Sequence, residues 1–116
     1  MPSDAEWFIM ENFVDPTITD PGATGGRGTD GGTKLKATTG WGANNGTNAF
    51  GFFALPAGYI YTGTFYSLGD RAYWWTSTDE NSTDAWRRTI GYPNTYMLTR
   101  LTYTKNSGFS VRCIKD

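Results

Sequence analysis

The strongest constraint on this fold lies between Met1 and Pro16. Ser3-Asp4-Ala5-Glu6 has the S-x-x-E form of a capping box, in which the Ser3 hydroxyl and the Glu6 carboxylate satisfy each other's helix-end amides. Trp7, Met10 and Val14 then recur at helical spacing, with Phe8, Ile9 and Phe13 beside them. Pro16 ends the run, because its ring crowds the preceding turn and it has no amide to donate. The chain therefore opens on one capped helix with a broad apolar face, and that face needs a partner layer.

The partner is legible in the last third. Ala72 to Ser77, Ala85 to Tyr92, Tyr96 to Tyr103 and Gly108 to Lys115 read as strands, separated by Asp-Glu-Asn-Ser, Tyr-Pro-Asn and Lys-Asn-Ser-Gly turns. Four such runs in succession predict an antiparallel meander. Between helix and strands the pattern is broken. From Asp15 to Thr33 the chain holds Pro16, Pro21 and six glycines with almost no apolar residues, which predicts a long mobile loop, a Gly-rich insertion at about 16–33 with no anchor in a core. Lys34 to Phe53 scatters Leu35, Trp41, Phe50, Phe52 and Phe53 among Thr, Gly and Asn, with room for one short helix near Gly32 to Ala37. Leu55-Pro56-Ala57-Gly58 is a turn, and Tyr59, Tyr61, Phe65 and Leu68 mark short extended pieces after it. A capped N-terminal helix, a loop-rich middle and C-terminal antiparallel strands make the class α+β, in a single domain over residues 1–116.

Composition narrows the chemistry. With 11 acidic and 10 basic residues the net charge is −1, and neither sign gathers into a run, so nucleic acid and anionic lipid are not expected partners. No stretch is long and apolar enough for a membrane span. Histidine is absent, which removes the commonest general base and the commonest metal ligand. The single cysteine, Cys113, excludes an internal disulfide. Met1-Pro2-Ser3-Asp4 lacks the basic and apolar regions of a secretory signal. The expectation is a cell-surface or secreted domain excised from a longer protein, with a cytoplasmic or phage-associated protein as the other choice.

Several ordered segments carry a family resemblance: Pro2-Ser3-Asp4-Ala5-Glu6-Trp7, Lys34-Leu35-Lys36-Ala37, Gly51-Phe52-Phe53-Ala54-Leu55-Pro56-Ala57-Gly58, Trp74-Trp75-Thr76-Ser77-Thr78, Ala85-Trp86, and Gly108-Phe109-Ser110-Val111-Arg112-Cys113-Ile114-Lys115-Asp116. Together the chain resembles the Fibrobacter succinogenes major paralogous domain, a bacterial family. That resemblance implies a C-type-lectin-like fold, shared with formylglycine-generating enzymes. Two departures stand out: the stretch from Thr17 to Gly32 is longer than the family pattern, and no strand precedes the helix.

Each candidate site has a plainer reading beside it. Gly25-Gly26-Arg27-Gly28-Thr29-Asp30 matches part of a calcium-binding nonapeptide, but that motif works as stacked repeats, so it reads as a loop. Asp79, Glu80 and Asp84 form the densest carboxylate cluster and are weak calcium candidates; the Glu-Pro-Asn, Gln-Pro-Asp and Trp-Asn-Asp elements of sugar-binding C-type lectins are missing, so a solvated turn and no cofactor are expected. Cys113, between Val111 and Ile114 with no histidine to activate it, reads as a buried structural thiol, and the cysteine pair of formylglycine-generating enzymes is lacking. Trp74, Trp75 and Trp86 suit sugar stacking, but adjacent strand residues face opposite ways, so at least one belongs to the core.

Period-two alternation places Arg87 and Thr89 on one side of a strand, and Met97, Thr99, Leu101 and Tyr103 on one side of the next. These six are expected to point outward, with Tyr92 and Asn94 at the connecting turn. Tyr, Asn, Arg and Thr are favoured in binding surfaces, and an ordinary Thr-rich and Tyr-rich sheet face is the alternative. In retroelement-diversified proteins of the lectin-like fold this C-terminal region carries the variable contacts. The expected function is non-catalytic recognition of a protein or glycan. The alternatives are a structural module of a cell envelope or appendage, with homo-oligomerisation, and an oxidase-like relative of formylglycine-generating enzymes.

Overall fold

The structure is a computed structural model that describes residues 1–91 and 94–115. Helix α1 spans Asp4–Val14. Its start is built as the capping box requires: Glu6 N–H donates to Ser3 Oγ at 3.2 Å, and Ser3 N–H donates to Glu6 Oε2 at 2.8 Å. The amide of Asp15 closes the last turn on Glu11 O before Pro16. A second, short helix α2 spans Gly31–Leu35, and a 3-10 turn spans Gly42–Asn44.

The strands are β1 (Gly25–Arg27), β2 (Tyr59–Tyr61), β3 (Thr64–Tyr66), β4 (Ala72–Asp79), β5 (Asp84–Ile90), β6 (Leu98–Thr104) and β7 (Ser107–Gly108). They form a four-stranded antiparallel sheet in the order β1-β6-β5-β4 and a three-stranded antiparallel sheet in the order β3-β2-β7. The molecule is thus α+β, with α1 laid on one face of the larger sheet. Three of the four expected C-terminal runs are the meander β4-β5-β6. The fourth is not its next strand: Ser107–Gly108 crosses to pair with β2, and Ser110 alone bridges back to Trp74.

The buried stripe of α1 runs Trp7, Glu11 and Val14. Trp7 sits 5.9 Å from Trp74 of β4 and 6.1 Å from Phe52, and Phe52 meets Trp74 edge-on at 5.7 Å. Each such ring pair contributes about 0.5–1.5 kcal/mol beyond the area it buries. Leu35, Trp41, Ala54, Ala72, Ile90 and Leu98 complete this core. The apolar face of α1 is narrower than its sequence implies, for Ile9 and Phe13 are 68% and 71% exposed.

The Gly-rich segment is anchored, contrary to expectation. Ile18 is buried with the core, and Asn12 Nδ2 donates to its carbonyl at 2.8 Å. β1 pairs with β6 through Gly25↔Arg100, Gly26↔Thr99 and Arg27↔Leu98. The buried Asp15 carboxylate accepts from the amides of Thr29, Asp30 and Gly31 through Oδ2, and from the Thr17 hydroxyl and amide through Oδ1. Gly28 is required there: its φ is +80°, and a Cβ would lie 2.3 Å from Asp15 Oδ2. One carboxylate and one isoleucine do the anchoring that a run of apolar residues would otherwise do.

Candidate functional site

The larger sheet has two unlike faces, each set by alternation along β5 and β6. The face toward α1 carries Trp74, Arg88 and Arg100 in one row, and Ala72, Ile90, Leu98 and Arg27 in the next. Its guanidinium groups are matched by acids from the helix. Arg88 bonds Glu11 Oε1 and lies 2.8 Å from Asp4 Oδ1, Arg100 reaches Asp4 Oδ2 at 2.6 Å, and Arg27 pairs with Glu11 Oε2. Glu11 and Arg88 are fully buried. Burial opposes the charge of Asp4, but hydrogen bonds from Arg100 and Arg88 outweigh it and hold its carboxyl below the ordinary range. Three guanidinium groups thus share two carboxylates, and Arg27 Nη1 donates besides to the carbonyls of Asp20 and Ala23, so the cluster ties the helix and the Gly-rich segment to the sheet.

The opposite face carries Tyr73, Thr89 and Thr99 in one row, Trp75, Arg87 and Leu101 in the next, then Ala85 and Tyr103. Arg87, Thr89, Thr99, Leu101 and Tyr103 do share a side, as their spacing implies. That side is not open along its length: Arg87, Thr89 and Thr99 are buried, whereas Leu101 and Tyr103 are half-buried. The covering comes from the second sheet and the C-terminal segment. Tyr59 of β2 lies 4.8 Å from Tyr73 and 5.9 Å from Tyr103, and Phe109 lies 5.3 Å from Tyr73 and stacks on Trp75 at 4.2 Å. Met97 precedes β6 and is not part of the row. It is half-buried beside Asn94, whose Oδ1 accepts from the amides of Tyr96 and Met97. Tyr92 lies outside the described residues.

Where the two sheets part, a cavity of about 210 Å³ remains, lined by Tyr59, Arg71, Tyr73, Arg87, Leu101, Tyr103 and Phe109. The Arg87 guanidinium donates to Thr89 Oγ1 and lies 5.2 Å and 5.6 Å from the ring centres of Tyr73 and Tyr103. Burial, then the hydrogen bond with Tyr103, pushes the Tyr59 hydroxyl up to about 12, so it stays protonated through neutral pH. Three of the expected site residues, Arg87, Leu101 and Tyr103, therefore meet in one groove. Tyr59, Arg71, Tyr73 and Phe109 were not anticipated. Tyr73 had a signal in its alternation with Trp75, whereas Tyr59 arrives from the other sheet and Phe109 from the segment that follows β7.

A family model described as the Fibrobacter succinogenes major domain matches residues 1–115. The chain belongs to that family. No curated protein and no solved structure matches it.

In this Fibrobacter succinogenes major domain the resemblance segments have physical roles. Lys36 of the Lys34-Leu35-Lys36-Ala37 segment is buried, donates to the carbonyls of Thr95 and Asn44, and sits 4.7 Å over the Trp41 ring, and burial lowers its pKa. Gly58 closes its turn at φ +64°, where a Cβ would lie 2.2 Å from Tyr66 O. Trp74 is core, Trp75 is half-buried on the groove side, and Trp86 is half-buried beneath the Arg100 guanidinium at 3.5 Å. The three indoles form no common platform.

Cys113 is exposed, a correction to the buried thiol expected from its apolar neighbours. Val111 and Ile114 are exposed too, because β7 ends at Gly108 and the last residues run along the surface. Asp79 pairs with Lys105 at 2.9 Å, and Asn81 Oδ1 caps the turn by accepting from Thr83 and Asp84. Among the described residues no three His, Cys, Asp or Glu side chains converge as a metal site needs, and no helix is long and apolar enough to cross a membrane.

Proposed function

We propose that this domain is a non-catalytic recognition module with a C-type-lectin-like arrangement, carried at a cell surface or on a secreted protein. Its ligand, a glycan or a protein, enters the groove between the two sheets. The observation that carries the reading is the convergence of Arg87, Leu101 and Tyr103 with Tyr59, Tyr73 and Phe109 around one partly open cavity. Rigid tyrosine rings that offer both an apolar face and a hydroxyl suit recognition at low entropic cost. The lectin-like arrangement is supported by helix α1 on a four-stranded antiparallel sheet, a small second sheet and long irregular connections.

The test is capture on glycan arrays and from protein pools, with Tyr103→Ala and Leu101→Ala against Asn94→Ala as the control outside the groove. Loss of capture in the first two, with near-native circular dichroism, is the expected result. Capture unchanged by both groove variants would remove the site. A template repeat matching the 3′ coding region would support retroelement diversification of the β5–β6 region, and its absence counts against it.

An assembly role is favoured by a different observation. Ile9, Phe13, Phe50, Val111 and Ile114 are each at least 48% exposed, and several line an apolar cavity of about 370 Å³ beside α1. Concentration-dependent sedimentation abolished by Phe13→Glu would establish that reading. An oxidase-like relative has only the exposure of Cys113 in its favour, since the sequence contains no second cysteine.

A further inference from the structure

Resting on the assembly reading, we infer that the apolar face beside α1 docks a second copy of this chain, in a closed two-fold pair where Phe13 of each copy enters the cavity of the other. The face is continuous. Ile9 and Phe13 lie one helical turn apart on α1, the Phe13 ring meets Phe50 edge-on at 5.4 Å, and Phe50 and Ile114 line the same cavity of about 370 Å³. With 48% to 71% of each exposed, and about 200 Å² for a large apolar side chain, these four present roughly 480 Å² of apolar surface per copy. Two copies would bury about 1,000 Å² on this centre alone, and the polar rim brings the pair to the lower end of stable interfaces, near about 1,200 Å².

Shape decides between a closed pair and an open chain of copies. Apolar cavities of about 150 Å³ take up a benzene ring, so one of about 370 Å³ has room for a phenylalanine from a neighbour. Phe13 is the natural knob, being 71% exposed, and it also lines the cavity. A knob and a hole on separate surfaces would build a filament, whereas a knob and a hole on one surface are both satisfied by a two-fold axis, and assembly stops at two. The charges at the cavity agree with this. Glu6 and Arg112 both line it, one acid and one base, so under a two-fold axis Glu6 of each copy meets Arg112 of the other. The helix cap engages Glu6 Oε2, and the Phe52 carbonyl accepts from Arg112 Nη2, so among the described residues a carboxylate oxygen and further guanidinium donors are left over for a partner. A partner with a rim of one sign would attract one of these groups and repel the other.

Sedimentation of the intact domain over a series of concentrations tests the pair. The mass should rise from monomer to dimer with a midpoint in the micromolar range, as an interface of this size allows, and should level off there. Phe13→Glu, at an exposed position, should hold the protein monomeric with unchanged circular dichroism. Glu6→Gln, which keeps the capping box, should weaken the dimer several-fold. Cys113 lines the same cavity, so its labelling, that of an exposed thiol in dilute protein, should slow several-fold in concentrated wild type and not in Phe13→Glu. A dimer that Phe13→Glu leaves intact overturns the inference, and unchanged affinity in Glu6→Gln overturns the pairing of Glu6 with Arg112. Association that runs past the dimer and is abolished by Phe13→Glu overturns the closed pair but leaves the assembly reading standing. A monomer at every concentration overturns both.

Discussion

Replacing Asp15 with asparagine tests the anchoring of the Gly-rich segment most directly. The Asp15 carboxylate accepts from Thr17 Oγ1 at 2.6 Å, from the Thr29 amide at 2.6 Å, and from the Asp30 and Gly31 amides at 3.1 Å and 3.2 Å. Burial works against its charge, but the Thr17 hydroxyl and the Thr29, Asp30 and Thr17 amides outweigh it, lowering its pKa from 3.8 to about 2. At about 1.4 kcal/mol per pKa unit, the ionised form contributes on the order of 2.5 kcal/mol to stability at neutral pH. The folded pKa is the depressed one. The contribution is therefore present above the unfolded value of 3.8 and lost as pH falls from there through about 2.

Asparagine keeps the size but loses the charge, and it either turns an NH₂ toward the three amides or leaves the Thr17 hydroxyl without its acceptor. The expected loss at neutral pH is about 2–4 kcal/mol. Urea unfolding followed by tryptophan fluorescence measures it at a series of pH values. The gap between wild type and Asp15→Asn should narrow as pH falls from 3.8 towards 2, where the wild type gives up the same charge. Other acids, Asp4 included, titrate in both proteins and cancel in the difference. A neutral-pH gap below about 0.5 kcal/mol, inside the range of ordinary surface substitutions, would refute the anchoring argument. So would a larger gap that does not narrow in acid.

Two further outcomes follow from the same geometry. Glu11→Gln leaves Arg27 and Arg88 buried against a neutral amide and should destabilise the fold by about 3–5 kcal/mol in urea, while Glu11→Gln with Arg88→Met should recover part of that loss. Cys113 should react with an aromatic disulfide in the folded protein at a rate within a few-fold of the denatured chain, and Cys113→Ser should leave the unfolding midpoint unchanged; protection until denaturant is added would contradict its exposure.

How much of this was legible follows from which residues signal by type and which by partner. The capping box, Pro16 and the period-two runs are local signals, and α1, β4, β5 and β6 form where those signals place them. Glu11 was not expected in the core, although it stands with Trp7 and Val14 on the stripe that includes Asp4. An acid at that spacing is readable as buried only once basic residues are known to face it. Ile18 and Asp15 were hidden for the opposite reason: one apolar residue and one carboxylate among glycines form no pattern, yet together they fix the segment. The site was half legible. Alternation grouped Arg87, Leu101 and Tyr103 correctly, but it carries no information about what covers a face, so Thr89 and Thr99 were expected in solvent and are buried.

Adjacent Arg87 and Arg88 show why the covering layer decides what a strand residue meets. Alternation sends them to opposite faces of β5, and neither residue type nor charge says which face is which. Helix α1 breaks the symmetry by bringing Asp4 and Glu11 to one side, so Arg88 is satisfied by carboxylates and locked into the fold. Arg87 meets the rings of Tyr73 and Tyr103 and the Thr89 hydroxyl on the other face. The same residue type is therefore tied to helix α1 on one face and to the groove between the sheets on the other. On the Arg88 side the acids of α1 are what the fold depends on, and Glu11→Gln measures how much.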